Sequence, residues 1–179
     1  MKTFFFETKP ELEKTPINNY IFGYKKLADL SAELLFSNEG VHYDDTLRIP
    51  VLFLYRHYIE LRLKNLYNQF VSCHPEATSI NLDVLQCHDI QKIWENLLKL
   101  FDELLIERED AISNLFEDIN NVIEQFNRYD KHSQTFRYDI DKKGNEHRVL
   151  SFTIDYEMLS ESIDEADDSF FALEQIILS

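Results

Sequence analysis

Residues 55–64 read YRHYIELRLK, a stretch in which apolar and charged residues alternate with the period of an α-helix. Arg56, Glu60 and Lys64 are spaced four residues apart, so a helix places them in one row with Glu60 between two cations. The residues around this row are apolar enough to form core, and burying an unpaired ion is strongly unfavourable. The row is therefore either a self-neutralised set of charges or one wall of a polar site.

The composition of the chain predicts a mostly α fold. Only 3 Gly and 4 Pro occur among 179 residues, which is too few for the many turns of a sandwich or a barrel. With 44% hydrophobic residues the chain has enough apolar side chains for one domain with a full core, residues 1–179. Helical periodicity extends over about residues 19–37, 44–71, 88–104, 109–127 and 156–178. We therefore expect an antiparallel helical bundle.

The first of these periodic segments has an unusually wide apolar face. A helix with such a face is expected to turn it towards the core. The residues that form the face are Tyr20, Ile21, Tyr24, Leu27, Ala28, Leu30, Leu34 and Leu35.

The pattern changes after Tyr129, where the alternation acquires a period near two. Residues 135–141 and 148–154 show this alternation, and the sequence KKGN at 142–145 between them is typical of a hairpin turn. We expect one β-hairpin insertion before the last helix. Arg137 would then point to the opposite face from Phe136 and Tyr138, and we expect it to complete a charge network with Glu60 or Asp130.

The net charge of −15 argues against a nucleic-acid partner, because the average field of such a surface repels a phosphate backbone. We expect no DNA partner and consider RNA disfavoured, although a local basic pocket stays open. No apolar run approaches the roughly 20 residues that cross a bilayer, and Glu7 interrupts the apolar residues near Met1. The sequence therefore predicts a cytoplasmic protein without a membrane partner.

Two Cys-His pairs, Cys73-His74 and Cys87-His88, raise the question of a zinc site. Adjacent residues seldom bind one ion together, and the usual gap of two to four residues within each pair is missing. The alternative is two reduced thiols with a loop histidine and a histidine at a helix start. We expect no metal and no cofactor.

Three segments in combination resemble the bacterial HEPN-type helical proteins. They are LYRHYIELRLK at 54–64, HDI at 88–90 followed by Trp94, and FRYDID at 136–141 before a Lys-Gly turn, so the resemblance covers about residues 45–145. It implies an antiparallel helical core that commonly dimerises. Many members of that superfamily are RNases of toxin–antitoxin, antiphage or RNA-processing systems, so a role in such a system is expected.

The catalytic motif of that superfamily is not matched. Active HEPN RNases resemble one another in an Arg and a His separated by four to six residues on one helix, and Arg128 and His132 are separated by only three. A continuous helix would place these two side chains one turn apart, where His takes a 2′-hydroxyl proton and Arg stabilises the charged phosphorane. The alternative is a helix end near Asp130 with solvated charges.

Two classes of function follow. The first is a non-catalytic HEPN-like module that binds a protein partner or a small phosphorylated ligand through a charged pocket formed by Arg56, His57, Glu60, Lys64 and Arg137. The second is a metal-independent RNase in which Arg128 and His132, or Arg56 and His57, act at a dimer cleft. His57 is either a general base or a hydrogen-bonded structural histidine. The negative charge and the unmatched spacing favour the first class.

The aromatic content predicts a homodimer. The chain contains 14 Phe and 9 Tyr, which is more than one core of this size readily buries. Aromatic residues are enriched where a protein surface meets a partner, so we expect a second copy to cover part of them.

Overall fold

The computed structural model describes residues 17–36, 44–104, 110–138, 140, 143–144 and 153–178. These residues form five α-helices: α1 (Ile17–Phe36), α2 (Asp44–Cys73), α3 (Ile90–Leu104), α4 (Asp110–Asp130) and α5 (Tyr156–Leu178). A short 3-10 helix, Leu82–Gln86, precedes α3. The mostly α fold predicted from the sequence is confirmed. None of the described helices is long and apolar enough to cross a membrane.

The longest helix, α2, is central to the bundle because it contacts α1, α3 and α5. Its buried side chains are distributed around most of its circumference, which is typical of a helix surrounded by others. The helix α5 contacts α1, α2 and α4, and all five helices contribute to one hydrophobic core. The α2 side chains that are at most 1% exposed include Val51, Tyr55, Tyr58, Leu63, Tyr67 and Phe70.

The starts of α3 and α5 are defined by carboxylate caps. The Asp89 Oδ1 atom accepts a hydrogen bond from the backbone N–H of Lys92 at 3.2 Å. The Asp155 Oδ1 atom accepts one from the backbone N–H of Met158 at 3.0 Å. Each cap satisfies a free N–H of the first helical turn and places a negative charge at the positive end of the helix dipole. The helix start predicted at residues 88–89 is therefore confirmed.

The wide apolar face of α1 is only partly buried, which corrects the expectation from its sequence. Ile21, Ala28 and Ala32 are at most 1% exposed, and they form the strip that packs on the core. Alanine side chains reach only a short distance from the helix, so they allow close packing along a narrow line. The outer part of the apolar face consequently remains at the surface, with 49–54% of Tyr20, Leu27, Leu30 and Leu34 exposed.

The prediction of a first hairpin strand over residues 135–141 is wrong for residues 135–138. Residues 135–138 form a turn in which the backbone N–H groups of Arg137 and Tyr138 both donate to the carbonyl of Gln134, at 3.1 and 3.0 Å. The cause is Asp130, whose Oδ1 atom accepts hydrogen bonds from the backbone N–H groups of Gln134 and Thr135 at 2.7 and 2.9 Å. These bonds direct the chain into a compact turn after α4.

The remainder of the expected hairpin is described only in fragments. Ile140 has the backbone pairing of an isolated β-bridge, and Gly144 has a φ of +83°, a left-handed conformation that suits the turn predicted there. Residues 145–152, which include most of the second expected strand, lie outside the described residues.

The close packing of α1 leads to a stability prediction. Ala32→Leu should lower the free energy of unfolding by about 1–3 kcal/mol, because a fully buried alanine site has no room for three more carbon atoms. Ala172→Leu on α5, at a half-buried position, serves as the matched control and should change stability much less. Urea denaturation of both variants measures this, and equal stability of the two would contradict the packing described.

Candidate functional site

Arg56 is fully buried and connects three helices. Its Nε atom donates to the backbone carbonyl of Asp130 at 2.9 Å, and its Nη2 atom donates to the carbonyl of His88 at 2.6 Å. Its Nη1 atom is 3.2 Å from Glu60 Oε2, and Nε is 3.5 Å from Asp130 Oδ2. One guanidinium of α2 therefore holds both the segment that leads into α3 and the last residue of α4.

Glu60 is the acidic centre of the same network and is 1% exposed. Its Oε1 atom accepts a hydrogen bond from Lys64 Nζ at 2.9 Å and lies 2.8 Å from His88 Nδ1. Burial by itself raises the pKa of Glu60, but the hydrogen bonds from Lys64 and His88 outweigh it and hold the pKa below the usual value. Glu60 is therefore ionised at neutral pH.

The charges of this network cancel. Arg56 and Lys64 supply two positive charges, and Glu60 and Asp130 supply two negative charges. Burial lowers the pKa of Arg56, while Asp130 and Glu60 oppose that effect, so the guanidinium keeps its charge. Of the two alternatives for the Arg56 row, the structure shows the self-neutralised network. Arg56 and Glu60 are sealed from solvent, whereas 19% of the Lys64 side chain is exposed.

His57 lies beside this network, between aromatic rings. Its ring is parallel to that of Phe53, with centroids 5.6 Å apart, and meets the Tyr24 ring edge-on at 4.6 Å. Its Nδ1 atom is buried without a hydrogen-bond partner among the described residues, so the expected structural hydrogen bond is absent at that atom. Burial lowers the pKa of His57; Glu60 opposes this, and Arg137 reinforces it.

Arg137 is exposed and does not form the expected ion pair with Glu60 or Asp130. Its Cζ atom instead lies 5.3 Å from the centroid of the Phe53 ring, in a cation–π contact. The turn after α4 explains the difference, because the Asp130 carboxylate is already used by that turn and by Arg56. Arg137 thus lies at the surface near His57 rather than inside the network.

Arg128 and His132 are separated by the end of a helix. Arg128 is in the last turn of α4, the helix ends at Asp130, and His132 follows in the turn beyond it. Both side chains are exposed. The continuous helix that would place guanidinium and imidazole one turn apart is therefore not present in the described chain.

The sequence interpretation missed two buried contacts between α2 and distant segments. His88 was expected only at a helix start, yet its imidazole contacts Glu60 and its carbonyl accepts from Arg56. Arg62, only 2% exposed, forms a second buried ion pair, with its Nη1 atom 2.8 Å from Glu174 Oε1. No local spacing signals either contact, because the partners are 28 and 112 residues apart. One signal in the sequence was available for Arg62, namely an arginine within a helix that is otherwise apolar enough to form core.

The two Cys-His pairs do not meet. His74 Nε2 lies 3.1 Å from the Ile177 carbonyl, whereas His88 contacts Glu60. The thiols of Cys73 and Cys87 are both free. The described part of the chain contains no group of three His, Cys, Asp or Glu side chains placed to hold a metal ion.

A cleft of about 420 Å³ lies elsewhere, where α4 and α5 meet the segment before α5. Its lining includes Leu52, Phe126 and Met158, and it also includes Tyr129 and Phe136 from the end of α4 and the following turn. None of the predicted binding residues lines this cleft.

Comparison with known proteins adds no further constraint: no protein-family model, no curated protein and no solved structure matches the chain.

The first prediction from this geometry concerns Glu60. Glu60→Ala should lower the free energy of unfolding by about 2–4 kcal/mol, because it leaves the buried Arg56 with one fewer carboxylate partner. Glu117→Ala, at an exposed position of α4, is the control and should have little effect. Guanidinium denaturation provides the measurement, and a loss below about 0.5 kcal/mol at Glu60 would indicate a solvated row of charges.

The second prediction concerns pH. Because the folded state lowers the pKa of His57, the unfolded chain binds more protons there as the pH falls below about 6.5. This contribution to stability is therefore present above pH 6.5 and is lost as the pH falls through the folded-state pKa. His57→Phe keeps a ring between Tyr24 and Phe53 and should lose less stability between pH 7 and 5 than the wild type. Thermal unfolding across that range measures the difference, and parallel profiles would contradict it.

Proposed function

We propose that this chain is a non-catalytic, HEPN-like binding module with an antiparallel helical core. In this proposal it binds a small phosphorylated ligand at the surface around His57. An acidic group of a protein partner would bind at the same surface through the same charge interactions. Lys64 and Arg137 supply the binding cations. Arg56 and Glu60 form the buried support beneath them. A role in a defence or toxin–antitoxin system follows from the resemblance to the HEPN-type proteins.

The observation that carries this proposal is the electrostatic environment of His57. After burial, the largest influences on its pKa come from one carboxylate, Glu60, and from three cations. The three cations are Arg137, Arg56 and Lys64. Glu60 and Asp130 balance Arg56 and Lys64, so Arg137 adds one net positive charge beside His57 in a chain whose overall charge is −15. An anion at this surface would offset that charge.

Arg137 is the residue best placed to hold the anion. It is exposed, and its guanidinium pairs with no carboxylate among the described residues. The contact with Phe53 orients the planar group, and a planar guanidinium with free N–H donors suits two oxygen atoms of one phosphate. Lys64, held by Glu60, adds a second cation at a partly exposed position.

The charge of the chain favours a small ligand over a nucleic acid. A small phosphorylated molecule needs only the local positive field, whereas a long phosphate backbone also meets the surrounding negative surface. The separation of Arg128 and His132 by the end of α4 likewise offers no support for the RNase alternative.

Titration with inorganic pyrophosphate, followed by NMR of the histidine side chains, tests the proposal. The His57 resonances should shift at saturation, and the pKa of His57 should rise because a bound anion stabilises the imidazolium. Arg137→Gln and Lys64→Gln should each weaken binding by about tenfold, the loss of one charge-assisted hydrogen bond. Lys99→Gln, at an exposed position of α3, should bind as the wild type does. Equal weakening in all three variants would contradict a specific site.

An RNA cleavage assay in the presence of a chelator tests the alternative. We expect no cleavage. Cleavage that disappears in Arg128→Ala or His132→Ala, with the helical circular dichroism spectrum unchanged, would overturn the non-catalytic assignment and establish the metal-independent RNase.

A further inference from the structure

The exposed apolar face of α1 has the spacing of a coiled-coil seam. Tyr20, Gly23, Leu27, Leu30 and Leu34 are separated by three and four residues in alternation. This is the a and d pattern by which one helix packs along another. The four large side chains of this seam are each about half exposed, at 49–54%. The core of the chain does not use this side of the helix, because Ile21, Ala28 and Ala32 face inwards.

We infer that α1 is a dimer interface, at which it packs antiparallel against α1 of a second copy of this chain. A two-fold axis near the middle of the seam pairs each a position with a d position. Leu27 then meets Leu30 of the partner subunit, and Leu30 meets the partner's Leu27. At the next layer Leu34 meets the partner's Gly23, which combines a large side chain with a small one.

The charges beside the seam identify both the partner and the orientation. Lys26 and Glu33 occupy equivalent flanking positions, seven residues apart, and both are exposed. Neither forms an ion pair with a described residue. In the antiparallel arrangement Lys26 faces Glu33 of the partner subunit, and the two-fold axis creates this pair twice. A parallel arrangement would instead place Lys26 beside the partner's Ser31, where no opposite charge is available.

Gly23 supports the same arrangement. It lies inside a helix, where glycine is unfavourable, yet no atom lies within 4 Å of the position that a Cβ would occupy. Packing within one copy therefore gives no reason for glycine at this position. Opposite the partner's Leu34, the missing side chain leaves the space that a leucine fills.

Analytical ultracentrifugation of the full chain over micromolar concentrations tests the interface. The wild type should dimerise, and Leu30→Glu should be monomeric with an unchanged circular dichroism spectrum, because residue 30 is exposed in the single copy. Leu82→Glu, at a leucine that is 58% exposed on the 3-10 helix, is the matched control and should dimerise normally. A monomeric wild type, or a Leu30→Glu variant that still dimerises, would overturn the inference.

A charge exchange tests the orientation. Lys26→Glu and Glu33→Lys should each weaken the dimer by about tenfold, because each single change opposes like charges twice. The double variant Lys26→Glu/Glu33→Lys restores both pairs and should return to within about threefold of the wild type. Failure of the double variant to recover would overturn the antiparallel arrangement. The interface uses none of the cations proposed to bind the anion, so either proposal can fail without the other.

Discussion

The buried guanidinium of Arg56 imposes the constraint on which the rest of the structure depends. Arginine keeps its charge when buried, so the fold must provide anionic and carbonyl partners around it. The chain supplies them from three places: Glu60 on α2, the carbonyl of His88 before α3 and the carbonyl of Asp130 at the end of α4. Satisfying one buried charge therefore positions three separate segments relative to each other.

The charges around Arg56 form two groups, one buried and one at the surface. Arg56 and Glu60 satisfy each other below the surface, and their role is to position the residues around them. The groups that a ligand can reach are Lys64, Arg137 and the neighbouring His57, whose ring is held between Tyr24 and Phe53. The functional proposal depends chiefly on Arg137, a surface cation that pairs with no carboxylate among the described residues, whereas Lys64 is already paired with Glu60.

The sequence predicted those features that depend on local spacing. Helical periodicity predicted the five helices, and the spacing of four residues predicted the contacts of Glu60 with Arg56 and Lys64. Contacts between distant segments could not be predicted in this way, since nothing in the spacing of α2 indicates that His88 and Asp130 complete the network. Periodicity also indicates that a face is apolar without indicating what covers it. For that reason the outer half of the α1 face was expected in the core, although it lies at the surface.

We expect Arg56 and Glu60 to act as one unit that the fold requires. A double-mutant cycle with Arg56→Met, Glu60→Leu and the combined variant measures this coupling through the free energies of unfolding. Each single change removes one partner of a buried charge, whereas the combined change removes both charges of the pair. We predict a coupling energy of about 1.5 kcal/mol or more, with the combined variant less destabilised than the sum of the single variants. Additivity to within about 0.5 kcal/mol would contradict it.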